Sequence, residues 1–202
     1  MPRPYQLGQR QETIAHTRAR ILAAARALLS VNEGFAGFSI DAVARQADVA
    51  RVTIYYQFGS KVGLLEALSD DLADRGEMDH LADAFRRPDP CEALADYIAV
   101  FGRFWSSDRL ATRRLRALAA LDPDFARVIR ARDDRRREGL RVIVQRLVAH
   151  RGRPDPASVD EAVDVLHMLT SFDTLAGPTR SPADITPLVQ RLARAALDLD
   201  QR

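Results

Sequence analysis

The run from Phe38 to Lys61, FSIDAVARQADVARVTIYYQFGSK, admits few conformations. Ser39 can accept from the free amides of a helix's first turn, and Asp41 adds a negative charge near that positive end. Ile40, Val43, Ala44 and Ala47 then supply apolar residues at helical spacing. Asp48 falls where the chain must turn. A positive φ there suits glycine best, but aspartate tolerates it better than most residues. Val49 plugs the turn into the core. Arg51 to Gln57 form a second helix with Val52 or Ile54 facing inward, and Ser60 caps a third that begins at Lys61. Two short helices joined by a tight turn predict a helix-turn-helix.

That geometry leaves Arg51, Thr53, Tyr55, Tyr56 and Gln57 on or near the outward face. Arginine and glutamine can make bidentate contacts to base edges in a major groove. Tyrosine and threonine hydroxyls suit phosphate oxygens, and a tyrosine ring can press on a thymine methyl. Lys61 at a helix N-terminus adds a cation to free amides and a favourable dipole, which together make a phosphate site. Alone, Tyr55, Tyr56 and Phe58 would read as core aromatics. The order of cap, turn, reader and second cap within one short span favours DNA recognition.

Charge supports this division of labour. Residues 1–61 carry eight basic and four acidic side chains, and the remainder carries 22 and 24. A basic reader on a mildly acidic body suits DNA binding. Residues 127–151 run against the trend, with nine arginines against Asp133, Asp134 and Glu138. A solvated helix face is the expected reading there, and a second surface for nucleic acid or an acidic partner is the alternative. With 47% apolar and 29% charged residues, a globular chain is expected. The single Cys91 excludes an internal disulfide framework. No apolar run approaches the roughly 20 residues that span a bilayer, and the first residues lack an apolar signal core. A cytoplasmic protein is expected.

The rest of the chain reads as all-α, with about nine helices in total and no alternating strand pattern. Residues 1–12 form a loose arm in which Arg3 and Arg10 can reach a phosphate or a minor groove. A first helix runs from Thr13 to Val31 and a fourth from Lys61 to Arg75. Asp–Pro and Ser–Pro steps then open further helices over 91–105, 123–150, 156–175 and 182–199, with Asp108 capping one that reaches Leu121. The expected division is an N-terminal helix-turn-helix domain over 1–61 and a larger helical domain over 62–202. The last two helices carry Ala162, Val163, Leu166, Leu169 and Phe172, then Leu188, Val189, Leu192, Ala195, Ala196 and Leu199. Two such hairpins can close a four-helix bundle across a two-fold axis, or both helices can be buried within one subunit.

Thr17-Arg18, Ile21-Leu22-Ala23-Ala24-Ala25, Leu28-Leu29, Gly34-Phe35, Ser39, Val43-Ala44, Ala47-Asp48-Val49, Thr53-Ile54-Tyr55, Phe58 and Ser60-Lys61 form a combined pattern. The pattern resembles the TetR family of bacterial transcriptional regulators over the first third of the chain. The resemblance implies that Thr53, Tyr55, Tyr56, Gln57 and Lys61 meet DNA, that Arg51 holds a variable position that often reads bases, and that the last two helices dimerise. Two departures stand out: Asp48 replaces the usual turn glycine, and Ala50 replaces the usual cap of the reading helix. With Ser39, these residues make the candidate DNA-contact set.

Phe85, Tyr97, Phe101, Phe104, Trp105, His167, Met168 and Phe172 are candidates for an apolar effector pocket with a few polar groups. For each residue alone, core packing competes with that role, and the pocket reading draws on the resemblance. Asp164 and His167 have the i, i+3 spacing of helical metal sites, with Glu161 nearby. No partner motif accompanies them, and no metal or cofactor is expected. The functional expectation is a homodimeric, effector-responsive transcriptional regulator, a repressor by family habit, on a palindromic DNA operator. A DNA-binding structural protein without an effector, and a helical enzyme with a vestigial reader, are the alternatives. No catalytic acid–base pair or phosphate loop supports an enzyme.

Overall fold

The computed structural model describes residues 4–30, 38–151, 156–177 and 182–197. Among them it contains eleven α-helices and no strand. The all-α expectation holds, and the count exceeds the expected nine because two short helices are set apart. Helix α5 (Leu81–Arg86) follows a 3-10 turn at Met78–His80, behind Glu77 in a left-handed conformation. Helix α10 (Phe172–Leu175) is cut from α9 (Pro156–Leu169), where one helix to Leu175 was expected. The Thr170 hydroxyl donates to the Leu166 carbonyl, and Ser171 starts a new helix by accepting from the Thr174 amide at 3.2 Å. Neither proline nor glycine marks that break.

The chain divides into two compact units, Met1–Asp71 with Leu110–Ala126, and Leu72–Arg109 with Arg127–Arg202. In the first, α1 (Pro4–Ser30) packs on α2 (Ile40–Ala47), and α2 on α3 (Arg51–Phe58). Residues 4–12 continue α1 rather than forming a loose arm; Arg3 and the Gly34-Phe35 pair lie outside the described residues. Ile21, Ala25, Leu29, Val43, Ile54, Leu64, Leu65 and Leu68 are buried, the last three on α4 (Lys61–Arg75). Helix α7 (Arg109–Leu121) adds Ala111, Leu115 and Leu118. Arg114 of α7 donates to the Leu29 carbonyl at 3.0 Å, a cation at the negative end of α1.

In the second unit, α6 (Pro90–Ser107) begins with Asp89 as its cap, accepting from the Cys91 amide at 2.7 Å, and Pro90 in its first turn. Around it lie α5, α10 and α11 (Pro182–Ala196). Its core gathers Tyr97, Ile98, Phe101 and Trp105 of α6, Leu140, Ile143, Val144 and Leu147 of α8 (Pro123–Arg151), and Val163, Leu166, Phe172 and Val189. Gly139 of α8 lies against this aromatic layer. A Cβ there would lie 3.1 Å from Phe85 Cζ and 3.2 Å from Tyr97 Oη.

Candidate nucleic-acid interface

The reader is built as its sequence requires. Ser39 is extended (φ −140, ψ 160), and its Oγ accepts from the Ala42 amide at 3.1 Å. At the far end of α2, Asp48 adopts the left-handed conformation (φ 50, ψ 54) expected of a turn residue. Its amide donates to the Arg45 carbonyl and that of Val49 to the Ala44 carbonyl, which closes the helix. Arg20 of α1 supports the turn as well. It donates to the carbonyls of Ala47 and Asp48 at 2.5 and 3.1 Å, and lies 4.0 Å from the Asp48 carboxylate. Sequence reasoning missed this role, because Arg20 lies 28 positions from its partner.

Ala50 precedes α3 with no side-chain cap. Ile54 is fully buried and Val52 is 71% exposed, so Ile54 is the residue that faces inward. Val52 and Tyr56 stand one turn apart and offer apolar surface outward; Val52 was not among the expected contacts. Tyr55 and Arg51 are also exposed. The Arg51 guanidinium donates to Tyr55 Oη at 3.2 Å, sits 5.6 Å from that ring's centroid, and lies 3.4 Å from Asp41 Oδ1. The Tyr55 bond, then the Asp41 charge, raise its pKa above the ordinary arginine value.

Thr53, Gln57 and Lys61 are half-buried. The Gln57 side-chain amide reaches back toward the Ile14 carbonyl at 3.5 Å, while its backbone carbonyl accepts from Arg18 at 3.2 Å. Arg18 also lies over the Phe58 ring, 4.5 Å from its centroid. Gly59 takes a positive φ of 74, a turn that costs glycine least. Ser60 Oγ then accepts from the Gly63 amide at 2.9 Å. The amides of Lys61 and Val62, in the first turn of α4, have no intrahelical acceptor. The candidate contacts Arg51, Thr53, Tyr55, Tyr56, Gln57 and Lys61 thus lie along α3 and the start of α4, with Ser39 at the start of α2.

Residues 21–68 match the family model described as bacterial regulatory proteins, tetR family. Over that segment, which holds the reader, the chain is similar to the TetR family. Solved structures of TetR-family proteins share its fold along most of its length. PfmR from Thermus thermophilus is 21% identical, with a TM-score of 0.65 over 91% of this chain and 100% of that one. A TetR-like regulator from a Rhodococcus species is 22% identical, with a TM-score of 0.68 over 90% and 96%. FadR from Bacillus subtilis, solved with stearoyl-CoA, is 16% identical, with a TM-score of 0.65 over 88% and 98%. A comparison with curated protein sequences finds no match. Among the described residues, no helix is long and apolar enough to cross a membrane.

The second unit brings most of the aromatic candidates together. Phe85, Tyr97, Phe101, Phe104, Trp105 and Phe172 form a continuous chain of ring contacts, with centroids 4.3–6.3 Å apart. Met168 does not join them; it is 62% exposed. The Arg-rich segment is not a plain solvated face. Arg136 is only 6% exposed and lies 5.9 Å from the Phe101 ring centroid. Arg137 pairs with Asp164, and Arg141 pairs with Asp160 at 2.6 Å. Arg146 donates to the Phe85, Arg87 and Pro88 carbonyls. Here the arginines of α8 fasten it to α9 and to the end of α5.

His167 sits against this cation, with Nε2 2.8 Å from an Arg136 amino group. Arginine is always a donor, so Nε2 must accept and the imidazole must be neutral. Burial, then the Arg136 charge, hold its pKa below the ordinary histidine value, outweighing a hydrogen bond to the Asp133 backbone. The unfolded chain therefore binds this proton more readily than the folded one. His167 stabilises the fold fully above about pH 6.5, and that contribution is lost as pH falls below it. Thermal melts of wild type and His167→Gln between pH 7.5 and 5.0 should show a steeper acid decline in wild type. Parallel declines would contradict the neutral-acceptor assignment.

Proposed function

We propose that this chain is a transcriptional regulator, acting as a repressor, that binds a palindromic operator as a homodimer and releases or tightens it on binding a small molecule. The observation that carries the reading is the α2–α3 reader with Arg51, Val52, Tyr55 and Tyr56 outward and Lys61 at the start of α4. In helix-turn-helix proteins the second helix enters the major groove with its N-terminal residues on base edges. Residues 1–61 are assigned DNA binding, and residues 62–202 effector binding and dimerisation. Two copies would hold their readers one helical turn apart, roughly 34–36 Å, or a multiple of it. The setting is the cytoplasm, where the DNA is.

The aromatic chain of the second unit is the proposed effector region. An effector changes operator affinity only as far as it binds one spacing of the readers better than the other. FadR, a fold neighbour, was solved with stearoyl-CoA, and another neighbour is a putative fatty acid metabolism regulator from Clostridium perfringens. Long-chain acyl-CoA therefore belongs in the first ligand panel. Thermal shift separates this reading from that of an effectorless DNA-binding protein, because a bound effector raises the melting point by mass action. TetR-family regulators are generally non-enzymatic, which favours a regulator over an enzyme.

The test of DNA binding is a mobility shift with promoter fragments from beside the gene, against random duplex of equal length. Lys61→Ala should weaken binding across all sequences and lower the salt dependence by about one unit, as loss of a phosphate contact does. Equal wild-type affinity for promoter and random DNA would rule out specific regulation.

A further inference from the structure

Asp41 is oddly placed for a protein that approaches DNA. It puts a carboxylate beside the first residue of the proposed reading helix, where phosphate repulsion works against docking. Its charge favours the start of α2, but an acid at many solvent-facing first-turn positions would serve that purpose. Its specific contact is with Arg51, at 3.4 Å across the turn. Tyr55, one turn along α3, holds the same guanidinium from the other side, through its hydroxyl at 3.2 Å and its ring at 5.6 Å.

An arginine side chain carries much rotamer entropy, and a loose one on a DNA-facing helix can swing to any nearby phosphate. Arg51 is more than half exposed, yet two of its amino groups are already engaged. These two contacts restrict its rotamers and bias the direction of its remaining N–H donors at the N-terminus of α3. A held guanidinium plane matches the O6 and N7 acceptors of guanine and mismatches adenine, whose N6 is a donor.

We propose that Asp41 is a specificity-determining residue: acting through Arg51, with Tyr55 as the second support, it makes each operator half-site require a guanine. Asp41 is a positioning residue, and Arg51 is the group that touches the base. The inference rests on the DNA-reading function proposed above.

The experiment selects binding sequences from a random duplex library with the full chain, then measures affinity for the selected duplex and its single-base variants. Wild type should enrich a guanine in each half-site and lose roughly 5- to 150-fold in affinity when it is replaced. Arg51→Ala should lose preference at that position and keep it elsewhere. Asp41→Asn should still bind, with the penalty for replacing guanine reduced to a few-fold. Asp41→Asn should bind random duplex as tightly as wild type or more tightly. In an Arg51→Ala background, Asp41→Asn should leave base preferences unchanged, which an effect through helix stability would not predict. A full guanine penalty in Asp41→Asn overturns the proposal, as does an unchanged consensus in Arg51→Ala. If wild type enriches no sequence, the DNA-reading function fails as well.

Discussion

Arg136→Ala is expected to lower the unfolding free energy by about 3–5 kcal/mol, as removal of one member of a buried charge network does. The guanidinium lies inside the second unit's aromatic core. It donates to the His167 carbonyl at 2.7 Å, to Thr170 Oγ1 at 2.8 Å and to the His167 ring at 2.8 Å, with Asp133 3.5 Å away. Two aromatic residues are tied to the same knot. Tyr97 Oη donates to the Arg136 carbonyl at 2.7 Å, and Trp105 Nε1 donates to the Thr170 carbonyl at 2.9 Å. Burial pushes the Tyr97 hydroxyl's pKa up, so it stays a neutral donor. Alanine would leave a cavity where the long side chain stood and strip partners from the His167 carbonyl and the imidazole. Arg136→Met should cost less, since its apolar stem refills the space. Arg137→Ala and Arg141→Ala, whose ion pairs are exposed, should each cost under about 1 kcal/mol. Urea unfolding with an unchanged m-value separates these cases. An Arg136→Ala midpoint near wild type would mean that the cation contributes nothing net.

This contrast explains what was legible in the sequence. The reader was readable because its determinants are local. Ser39 bonds three residues ahead, Asp48 closes a helix that ends beside it, and Ser60 bonds to Gly63. Local pattern could not choose between Val52 and Ile54, since both are β-branched and apolar within one turn; packing decides it. The body was readable as helices from its Asp–Pro steps, but not in its interior chemistry. Nine arginines in 25 positions read as a solvated face, because nothing within α8 distinguishes Arg136 from its neighbours. Its partners His167 and Thr170 lie 31 and 34 positions away. The break after Leu169 was hidden for a similar reason. Threonine and serine occur inside helices, and here one bonds backward while the next caps forward.

Met168→Glu combined with Leu192→Glu is expected to yield a monomer and to reduce operator affinity about a thousandfold or more, toward the non-specific level. Of the residues offered for a dimer interface, Val163, Leu166, Phe172 and Val189 are buried within the subunit. They are spent on the internal core and cannot form an interface. What α9 and α11 leave outward is different. Met168 is 62% exposed and Leu192 47%, with Ala195 and Ala196 exposed and Leu188 half-buried. Leu188, Leu192, Ala195 and Ala196 recur at helical spacing along α11, which packs on α9. An apolar stripe with small residues at one end suits close packing against its own copy. Leu199, also in the original set, lies outside the described residues. Glutamates at the exposed Met168 of α9 and Leu192 of α11 would add charge to the outward surface of these helices while leaving the buried core intact. Sedimentation should then show one chain per particle with unchanged helicity, and the mobility shift should lose its specific band. A double variant that still sediments as a dimer would move the interface elsewhere. A monomer that binds operator as tightly as wild type would show that one reader suffices, contrary to the palindromic mechanism.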